Sequence, residues 1–112
     1  MAIEFHSAIP ILRIFDLAKA DEFYLGYLGF RVDWDHRFDD RAPLYRQISR
    51  GGLRLHLSEH HGDGSPGVHV RVMMRGCHRG PAPGSREMGV VDPFGNQIKF
   101  CQDDGDEDGD ED

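Results

Sequence analysis

Two short segments alternate apolar side chains with histidine and arginine. In L-R-L-H-L, residues 53–57, the leucines are separated by Arg54 and His56, and in V-H-V-R-V, residues 68–72, the valines are separated by His69 and Arg71. Successive side chains of a strand point to opposite faces, so each polar pair shares the face opposite its apolar neighbours. An imidazole can bind a metal or move a proton, and a guanidinium binds carboxylate or phosphate. We therefore expect these four residues to line a polar cavity.

The other histidines and the cysteines add no catalytic centre. His60 and His61 extend His56 into H-x-x-x-H-H, but they open a glycine-rich loop and are expected to be exposed. Cys77 and His78 are adjacent in a second loop, a spacing that does not provide a nucleophile with its base. The sequence thus predicts no catalytic residue, no metal-ligand set and no cofactor.

The elements that must position these residues follow an α+β pattern. Asp16 can cap a helix that Gly29 ends, because between them apolar residues recur at helical spacing. Pro10 lies in the apolar segment before this helix and favours an edge strand or a bulged strand there. The expected strands are residues 8–15, 30–34, 44–49, 53–57 and 68–72, followed by a hairpin in V-V-D-P-F-G-N-Q-I-K-F, residues 90–100. The first half therefore reads β-α-β-β-β, and the second half has no helix.

Charge is distributed unevenly along the 112 residues. The formal net charge is −7, but residues 103–112 hold 8 of the 20 acidic residues and no basic one. The remaining 12 acidic residues nearly balance the 13 lysines and arginines. We expect one domain, residues 1–102, followed by a disordered acidic tail, residues 103–112.

Composition also argues against several classes of protein. Only Cys77 and Cys101 are present, and no charged and apolar leader opens the chain, which indicates a reducing, cytoplasmic location. No apolar run approaches the roughly 20 residues of a membrane helix. The basic residues form no stripe for nucleic acid. The expected partner is a small molecule.

Several runs together resemble the glyoxalase, bleomycin-resistance and extradiol-dioxygenase superfamily, and its bleomycin-resistance-like branch in particular. They are I-P-I-L-R-I-F-D, F-Y-L-G-Y-L-G-F, L-R-L-H-L-S-E-H-H-G, V-H-V-R-V and R-E-M-G-V-V-D-P-F-G-N-Q-I-K-F, which span nearly everything from Ile9 to Cys101. The resemblance implies paired βαβββ modules whose curled mixed sheets surround a cavity. The first module would span about residues 8–58 and the second about residues 66–101.

The second module departs from the family pattern between Val72 and Ser85. The family places a helix and a strand there, but this chain has only a short glycine- and proline-rich segment, which cannot form a helix. The valines of residues 68–72 then need another cover. Apolar faces left open tend to become interfaces, so a homodimer is expected.

The resemblance also implies a ligand: a bleomycin-type antibiotic held in a dimer cleft without chemistry. Such a flat, cationic ligand needs aromatic faces and carboxylates. Trp34 and Phe38 could stack on it, and Asp39 and Asp40 could attract it, with His56 lining the cavity. Alternatively, Trp34 belongs to the core and the acids form an ordinary solvated loop. The basic residues Arg13, Arg54, Arg71 and Lys99 would instead suit an anionic metabolite.

The superfamily's metal-binding positions fall on Ile9, His56, Gly67 and Lys99 of this chain. Only His56 among them can bind a metal, and one imidazole does not hold a catalytic ion. Two alternatives remain open beside the antibiotic-binding protein. One is a metal-dependent glyoxalase, lyase or dioxygenase, and the other is a degenerate dimerisation module without a ligand.

Overall fold

The structure is a computed structural model that describes residues 2–75 and 86–103. Within these ranges the chain forms seven strands and one helical segment. The strands are β1 (Ile11–Arg13), β2 (Arg31–His36), β3 (Tyr45–Arg50), β4 (Leu53–Ser58), β5 (His69–Arg75), β6 (Arg86–Val91) and β7 (Gln97–Asp103). The helical segment is α1 (Leu17–Ala20), which continues directly as a π-helix (Asp21–Tyr27). The predicted α+β class is confirmed.

The first sheet has the strand order β1-β4-β3-β2, with β1 parallel to β4 and the other pairs antiparallel. Strand β1 lies at the edge, as expected from Pro10, which precedes it and cannot donate a backbone hydrogen bond. The Pro10 carbonyl instead accepts a hydrogen bond from the His56 amide at 2.9 Å. The β3–β4 hairpin turns at Gly51, whose φ of 60° favours glycine.

The helical segment begins and ends where the sequence predicts, but most of it is π-helical. The Asp16 carboxylate caps it by accepting from the Lys19 amide at 3.1 Å, and Gly29 follows its end with a φ of 78°. Ala20, the last residue of α1, and Tyr24 of the π-helix are both buried in the core. Tyr27, expected on the same apolar face, is instead exposed.

The core lies between this helical segment and one face of the first sheet. Leu55 and Leu57 of β4 are buried in it, together with Leu12 and Ile48 from the neighbouring strands. The strand alternation therefore places Arg54 and His56 on the opposite face, as predicted. One arginine breaks the apolar pattern: Arg46 is buried on the helix side.

Arg46 joins the helical segment to the first sheet. Its guanidinium donates to Asp35 at 2.6 and 3.0 Å and to Asp21 at 2.5 Å. These carboxylates raise the pKa of Arg46, with the Asp35 hydrogen bond as the largest cause. A buried charge is tolerated only when it is paired in this way.

The second sheet has the strand order β5-β7-β6, with β5 parallel to β7 and β6 antiparallel to it. This is the order of β1, β4 and β3 in the first sheet. The first module uses residues 14–44 to connect the equivalent strands, whereas only residues 76–85 connect β5 to β6. Among the described residues, the second module thus has no counterpart of the helix or of β2. The predicted shortening is confirmed.

Two predicted segments fall wholly or largely outside the described residues. The glycine- and proline-rich stretch that was predicted not to form a helix lies there from residue 76 onward. The acidic tail does so from residue 104, whereas Asp103, expected to begin the tail, is the last residue of β7. The predicted disorder of the tail stays a prediction.

The D-P-F-G-N turn between β6 and β7 holds the two modules together. The buried Asp92 carboxylate accepts from the Tyr24 hydroxyl at 2.6 Å and from the Asn96 side chain at 2.8 Å. Asn96 also donates to the Arg13 carbonyl at 2.9 Å. Burial, and then the hydrogen bond and charge of Asp92, raise the pKa of Tyr24 well above its usual range, so this hydroxyl remains a donor.

Asn96 completes the connection on the side of the second sheet. Its side-chain oxygen accepts from the amides of Gly67 and Val68 at 3.2 and 3.3 Å, and these residues lead into β5. The turn itself is tightened by the Asp92 carboxylate, which accepts from the amides of Phe94 and Asn96 at 2.8 Å. One buried amide therefore contacts β1, the β5 entry and its own turn. We call Asp92 and Asn96 the turn clamp.

Substitution of the clamp asparagine is expected to destabilise the whole fold. Asn96→Ala leaves the Arg13 carbonyl and two backbone amides without their partner, which should lower the free energy of unfolding by about 3 kcal/mol. Urea denaturation followed by circular dichroism measures this loss. Gln97→Ala is the matched control, because Gln97 is the exposed neighbour, and it should change the free energy by less than about 0.5 kcal/mol. Equal effects of the two substitutions would contradict this role of Asn96.

Candidate functional site

A bulge in β2 shapes the face of the first sheet that points away from the helix. The register of β2 against β3 shifts between Val32 and Trp34. Trp34 then pairs with Gln47, and the Asp33 carboxylate accepts hydrogen bonds from Gln47 and Ser49 at 2.9 and 3.0 Å. Two successive residues, Asp33 and Trp34, therefore approach the same face, which regular alternation would forbid.

Three rings from three strands pack together on this face. Trp34 of β2 and Tyr45 of β3 are stacked with ring centroids 6.1 Å apart and an angle of 13° between their planes. His56 of β4 stands edge-on to both, at 5.4 Å from Trp34 and 5.0 Å from Tyr45. Trp34 is 42% exposed, so the stack presents an aromatic surface to solvent. We call Trp34, Tyr45, His56, Gln47 and Asp33 the aromatic site.

A chain of hydrogen bonds determines the protonation of His56. The Gln47 amide nitrogen donates to the Asp33 carboxylate, which turns the Gln47 oxygen toward His56 Nε2 at 3.0 Å. That oxygen can only accept, so Nε2 carries the proton. Nδ1 of the neutral ring then accepts from the Tyr45 hydroxyl at 2.7 Å. Both ring nitrogens are thus engaged within the chain.

The electrostatics of the site support this arrangement. Partial burial lowers the pKa of His56, because the protonated ring would lose hydration. Hydrogen bonds from Gln47 and then Ser49 lower the pKa of Asp33, and the nearby charges of Arg31 and Arg54 add to this effect. The site therefore combines a neutral imidazole with a stable carboxylate.

The remaining predicted ligand residues lie elsewhere on the chain. Phe38 is 81% exposed and contacts only His36 among the described aromatic rings, with their centroids 5.2 Å apart. Asp39 organises its own turn by accepting from the Arg41 amide at 2.9 Å, and Asp40 is exposed beside it. These three residues belong to the loop after β2 and do not join the ring stack.

The predicted basic residues are divided between the two sheets. Arg54 shares the face of the aromatic site, and its charge acts on Asp33. His69 and Arg71 lie on β5 of the second sheet. Arg71 lies 3.4 Å from Glu87, which also lies 3.8 Å from Lys99, so these charges are partly balanced. Acidic side chains therefore lie among the predicted basic residues, Asp33 near Arg54 on the first sheet and Glu87 near Arg71 and Lys99 on the second.

Sequence reasoning missed Tyr45 and Gln47 as site residues. In the β3 run Y-R-Q-I-S, Arg46 and Ile48 are buried, so Tyr45 and Gln47 lie on the opposite face, and the hairpin register places Gln47 opposite His56. Buried Arg46 in the middle of this run concealed the alternation, since an arginine reads as solvent-facing. Among the described residues, no group of three or more histidine, cysteine, aspartate or glutamate side chains could hold a metal ion.

Protonation of His56 should be visible in the fluorescence of Trp34, the only tryptophan. A cationic imidazole 5.4 Å from the indole quenches its emission. Because burial lowers the pKa of His56, quenching should have its midpoint below the ordinary value of 6.5. By linkage, the stabilisation gained from neutral His56 is complete above pH 6.5 and is lost as the pH falls through the lowered value.

A fluorescence titration from pH 8 to about pH 4.5 tests this assignment across the imidazole range. His56→Gln should abolish the transition, whereas His69→Gln on the second sheet should retain it. A transition that survives in His56→Gln would show that another group controls the emission of Trp34.

The chain was compared with known families and structures. A family model described as glyoxalase superfamily protein matches residues 1–81. No curated protein matches the chain. Among the described residues, no helix is long and apolar enough to cross a membrane.

Solved structures share this fold. The bleomycin-binding protein of Streptomyces verticillus in complex with copper(II)-bleomycin is 24% identical, with a TM-score of 0.58, over 88% of this chain and 97% of that chain. TnmS3, an antibiotic binding protein from a Streptomyces species, is 21% identical, with a TM-score of 0.61, over 92% and 98%. A superfamily member from Sphaerobacter thermophilus is 18% identical, with a TM-score of 0.61, over 88% and 98%.

The TM-scores show a shared fold, and the family match shows membership. Because the matched residues 1–81 make up well over half of the 112 residues, this protein belongs to the glyoxalase superfamily.

Proposed function

We propose that this protein binds a flat, cationic small molecule of the bleomycin type at the aromatic site and holds it without chemistry. The observation that carries the proposal is the ring stack of Trp34, Tyr45 and His56, which ends in a half-exposed indole face. A planar heteroaromatic ligand can extend such a stack by offset or edge-to-face contact. The carboxylate of Asp33 beside the stack provides a partner for a positive group.

The state of His56 favours binding over catalysis. A general base needs a free lone pair within reach of a substrate proton, and a metal ligand needs one directed at the ion. The Nδ1 lone pair of His56 already accepts from Tyr45, and its Nε2 proton goes to Gln47. This network fixes the ring in place and gives the site a rigid aromatic wall, which lowers the ordering cost of binding.

The names of two structural neighbours are consistent with this class of ligand. One is a bleomycin-binding protein and another is an antibiotic binding protein. With the loop residues Phe38, Asp39 and Asp40 exposed near the end of β2, a ligand on the stack could also meet a second aromatic ring and two carboxylates. These loop contacts would form on binding.

The proposed assembly is a cytoplasmic homodimer with the ligand in a cleft between two copies. Arg54 and the aromatic site occupy one sheet, whereas His69 and Arg71 occupy the other, so a single copy does not gather all of the predicted cavity residues around one ligand. Cys101 is a free, buried thiol, which suits a reducing compartment.

Metal-free bleomycin is the probe for ligand binding. Titration should change Trp34 fluorescence and release heat, saturating at one or two molecules per dimer with a dissociation constant near 1 μM, equivalent to about −8 kcal/mol. Tyr45→Leu removes one ring of the stack and should weaken binding about tenfold. Tyr27→Leu is the matched control, because Tyr27 is an exposed aromatic residue on the helical segment, and it should leave binding unchanged.

If the bleomycin titration releases no heat and leaves Trp34 fluorescence unchanged, the ligand assignment is refuted. That result would favour the dimerisation module without a ligand. If Tyr45→Leu and Tyr27→Leu weaken binding equally, the ring stack is not the binding surface. Substitution of Asp39 and Asp40 by asparagine separates the loop from the stack: loss in that variant alone would place the ligand on the loop.

The dimer has a separate measurement. Sedimentation velocity at micromolar protein should give a single species with twice the chain mass of 12.7 kDa. A folded monomer at that concentration would contradict the cleft, even if bleomycin binds.

A further inference from the structure

A small pocket lies at the end of the first sheet where β1, β2 and β4 finish. Its volume is about 320 Å³, and residues 13–15 at the end of β1, residues 37 and 41–43 of the loop after β2, and Glu59 after β4 line it. This volume is at the lower end of the range for cavities that hold small organic ligands. Because Arg13, Arg37 and Arg41 are among its lining residues, we call it the arginine pocket.

The arginine pocket carries an excess of positive charge. Glu59 is the only acidic residue among the described residues that line it. The Glu59 side chain is turned toward the backbone, because its Oε1 accepts from the Leu44 amide at 2.9 Å. Arg13, Arg37 and Arg41 form no ion pair with any carboxylate among the described residues. Three guanidinium groups therefore share one pocket without a paired anion in the part of the chain that the structure describes.

The acidic residues of the loop after β2 do not enter the pocket. Asp39 and Asp40 are not among the residues that line it. The Asp39 carboxylate accepts from the Arg41 amide at 2.9 Å, so it organises the loop backbone. The Arg41 guanidinium has no acceptor among the described residues, which leaves its donors available in the pocket.

Arg13 is held in place on an aromatic ring. Its guanidinium lies over the Phe15 ring, 4.7 Å from the ring centroid, and Phe15 contacts Phe94 with ring centroids 5.9 Å apart. The Arg13 Nε is buried and has no hydrogen-bond partner among the described residues. A buried N–H without an acceptor costs free energy, so this guanidinium favours an acceptor from outside the chain.

Arg37 is positioned by its own loop. Its Nη1 donates to the Ala42 carbonyl at 2.8 Å, and the Ala42 amide donates to the Asp39 carbonyl at 3.1 Å. A guanidinium has five N–H donors, so this single bond leaves most of them available. Two of the three guanidinium groups are thus held before a ligand arrives, which lowers the ordering cost of binding.

The chemistry of the arginine pocket favours a phosphate group as its occupant. A cation would be repelled by the three guanidinium groups. A carboxylate has two oxygens, and one guanidinium can already bind both of them in a bidentate pair. A phosphate monoester has three terminal oxygens and a charge close to −2, so it can accept from all three guanidinium groups at once.

We propose that the arginine pocket binds the phosphate group of a small molecule, with Arg13, Arg37 and Arg41 as its donors. The organic part of this molecule lies against Phe15 and Pro43, which also line the pocket. This site uses none of the residues proposed to bind the antibiotic, so it does not depend on that proposal.

Isothermal calorimetry with methyl phosphate, at about pH 7.5 and low ionic strength, tests the proposal on the full chain. Methyl phosphate should bind saturably at one molecule per chain. Methyl sulfate has a similar shape and less negative charge, so it should bind about tenfold more weakly. The double variant Arg37→Gln/Arg41→Gln, in which both replaced side chains are exposed, should lose about tenfold in methyl phosphate affinity. Arg75→Gln, at an exposed arginine of β5, is the matched control and should retain full affinity.

A further variant tests the planar donors of Arg13. Arg13→Lys keeps the positive charge but removes the bidentate fork, so it should weaken methyl phosphate binding about fivefold while the thermal unfolding curve stays cooperative. Equal binding of methyl phosphate and methyl sulfate would overturn the proposal, because it would reveal attraction of any anion. Absence of methyl phosphate binding, or full affinity in the double arginine variant, would overturn it as well.

Two more measurements assign the phosphate to this pocket and to a small molecule. Tyr45→Leu should leave methyl phosphate binding unchanged, and a loss there with full retention in the double arginine variant would move the ligand to the aromatic site. Cosedimentation with phosphatidic acid vesicles in the absence of methyl phosphate binding would identify a lipid surface as the source of the phosphate, which contradicts a small-molecule site.

Discussion

The hydrogen bonds of Asp92 and Asn96 are the constraint on which the rest of this structure depends. The two sheets pair strands only within themselves, so side-chain contacts must hold the modules together. Asn96 donates to the carbonyl of Arg13, and its oxygen accepts from the chain entering β5. The Asp92 carboxylate also accepts a hydrogen bond from the Tyr24 hydroxyl, which connects the helical segment to the turn. Both side chains are buried and hydrogen-bonded, so the turn clamp fixes the position of one module against the other. Apolar packing alone would allow the modules to slide past each other.

Much of the remaining architecture follows from the difference between the two modules: the first has a helical segment and four strands, and the second has only three strands among the described residues. The first module covers its sheet with its own helical segment and joins the two through Arg46, Asp21 and Asp35. The second module retains three equivalent strands but not the covering elements among the described residues. Its apolar row at Val72 and Phe100 is therefore half-buried at the margin of the core and borders a large cavity.

Two surfaces of different chemistry result. The aromatic site has a neutral imidazole, a stacked indole and phenol, and a carboxylate with a lowered pKa, which together suit a flat cation. The second sheet has an apolar face, with Val72, Phe100 and Met88, and an opposite face on which Arg71 and Lys99 lie near Glu87.

The sequence by itself determined the strand alternation, the capped helical segment and the edge position of β1, and comparison with the family pattern added the shortened second module. These features depend on local periodicity, on Pro10 and Asp16, and on chain length between strands, all of which are written in short stretches of residues. It also placed Arg54 and His56 on the face opposite the core. The family resemblance, carried by several runs together, gave the pairing of the modules.

Only the tertiary structure decided which of the candidate residues meet. The bulge at Asp33 and Trp34 and the register that places Gln47 opposite His56 are properties of strand pairs, and no single strand encodes them. Arg46 read as a surface residue because its partners, Asp21 and Asp35, lie far from it in sequence or on another strand. The protonation of His56 depends in turn on the donor directions of Gln47 and Tyr45. Long-range pairing energies set these contacts, and they are fixed only when the whole chain has folded.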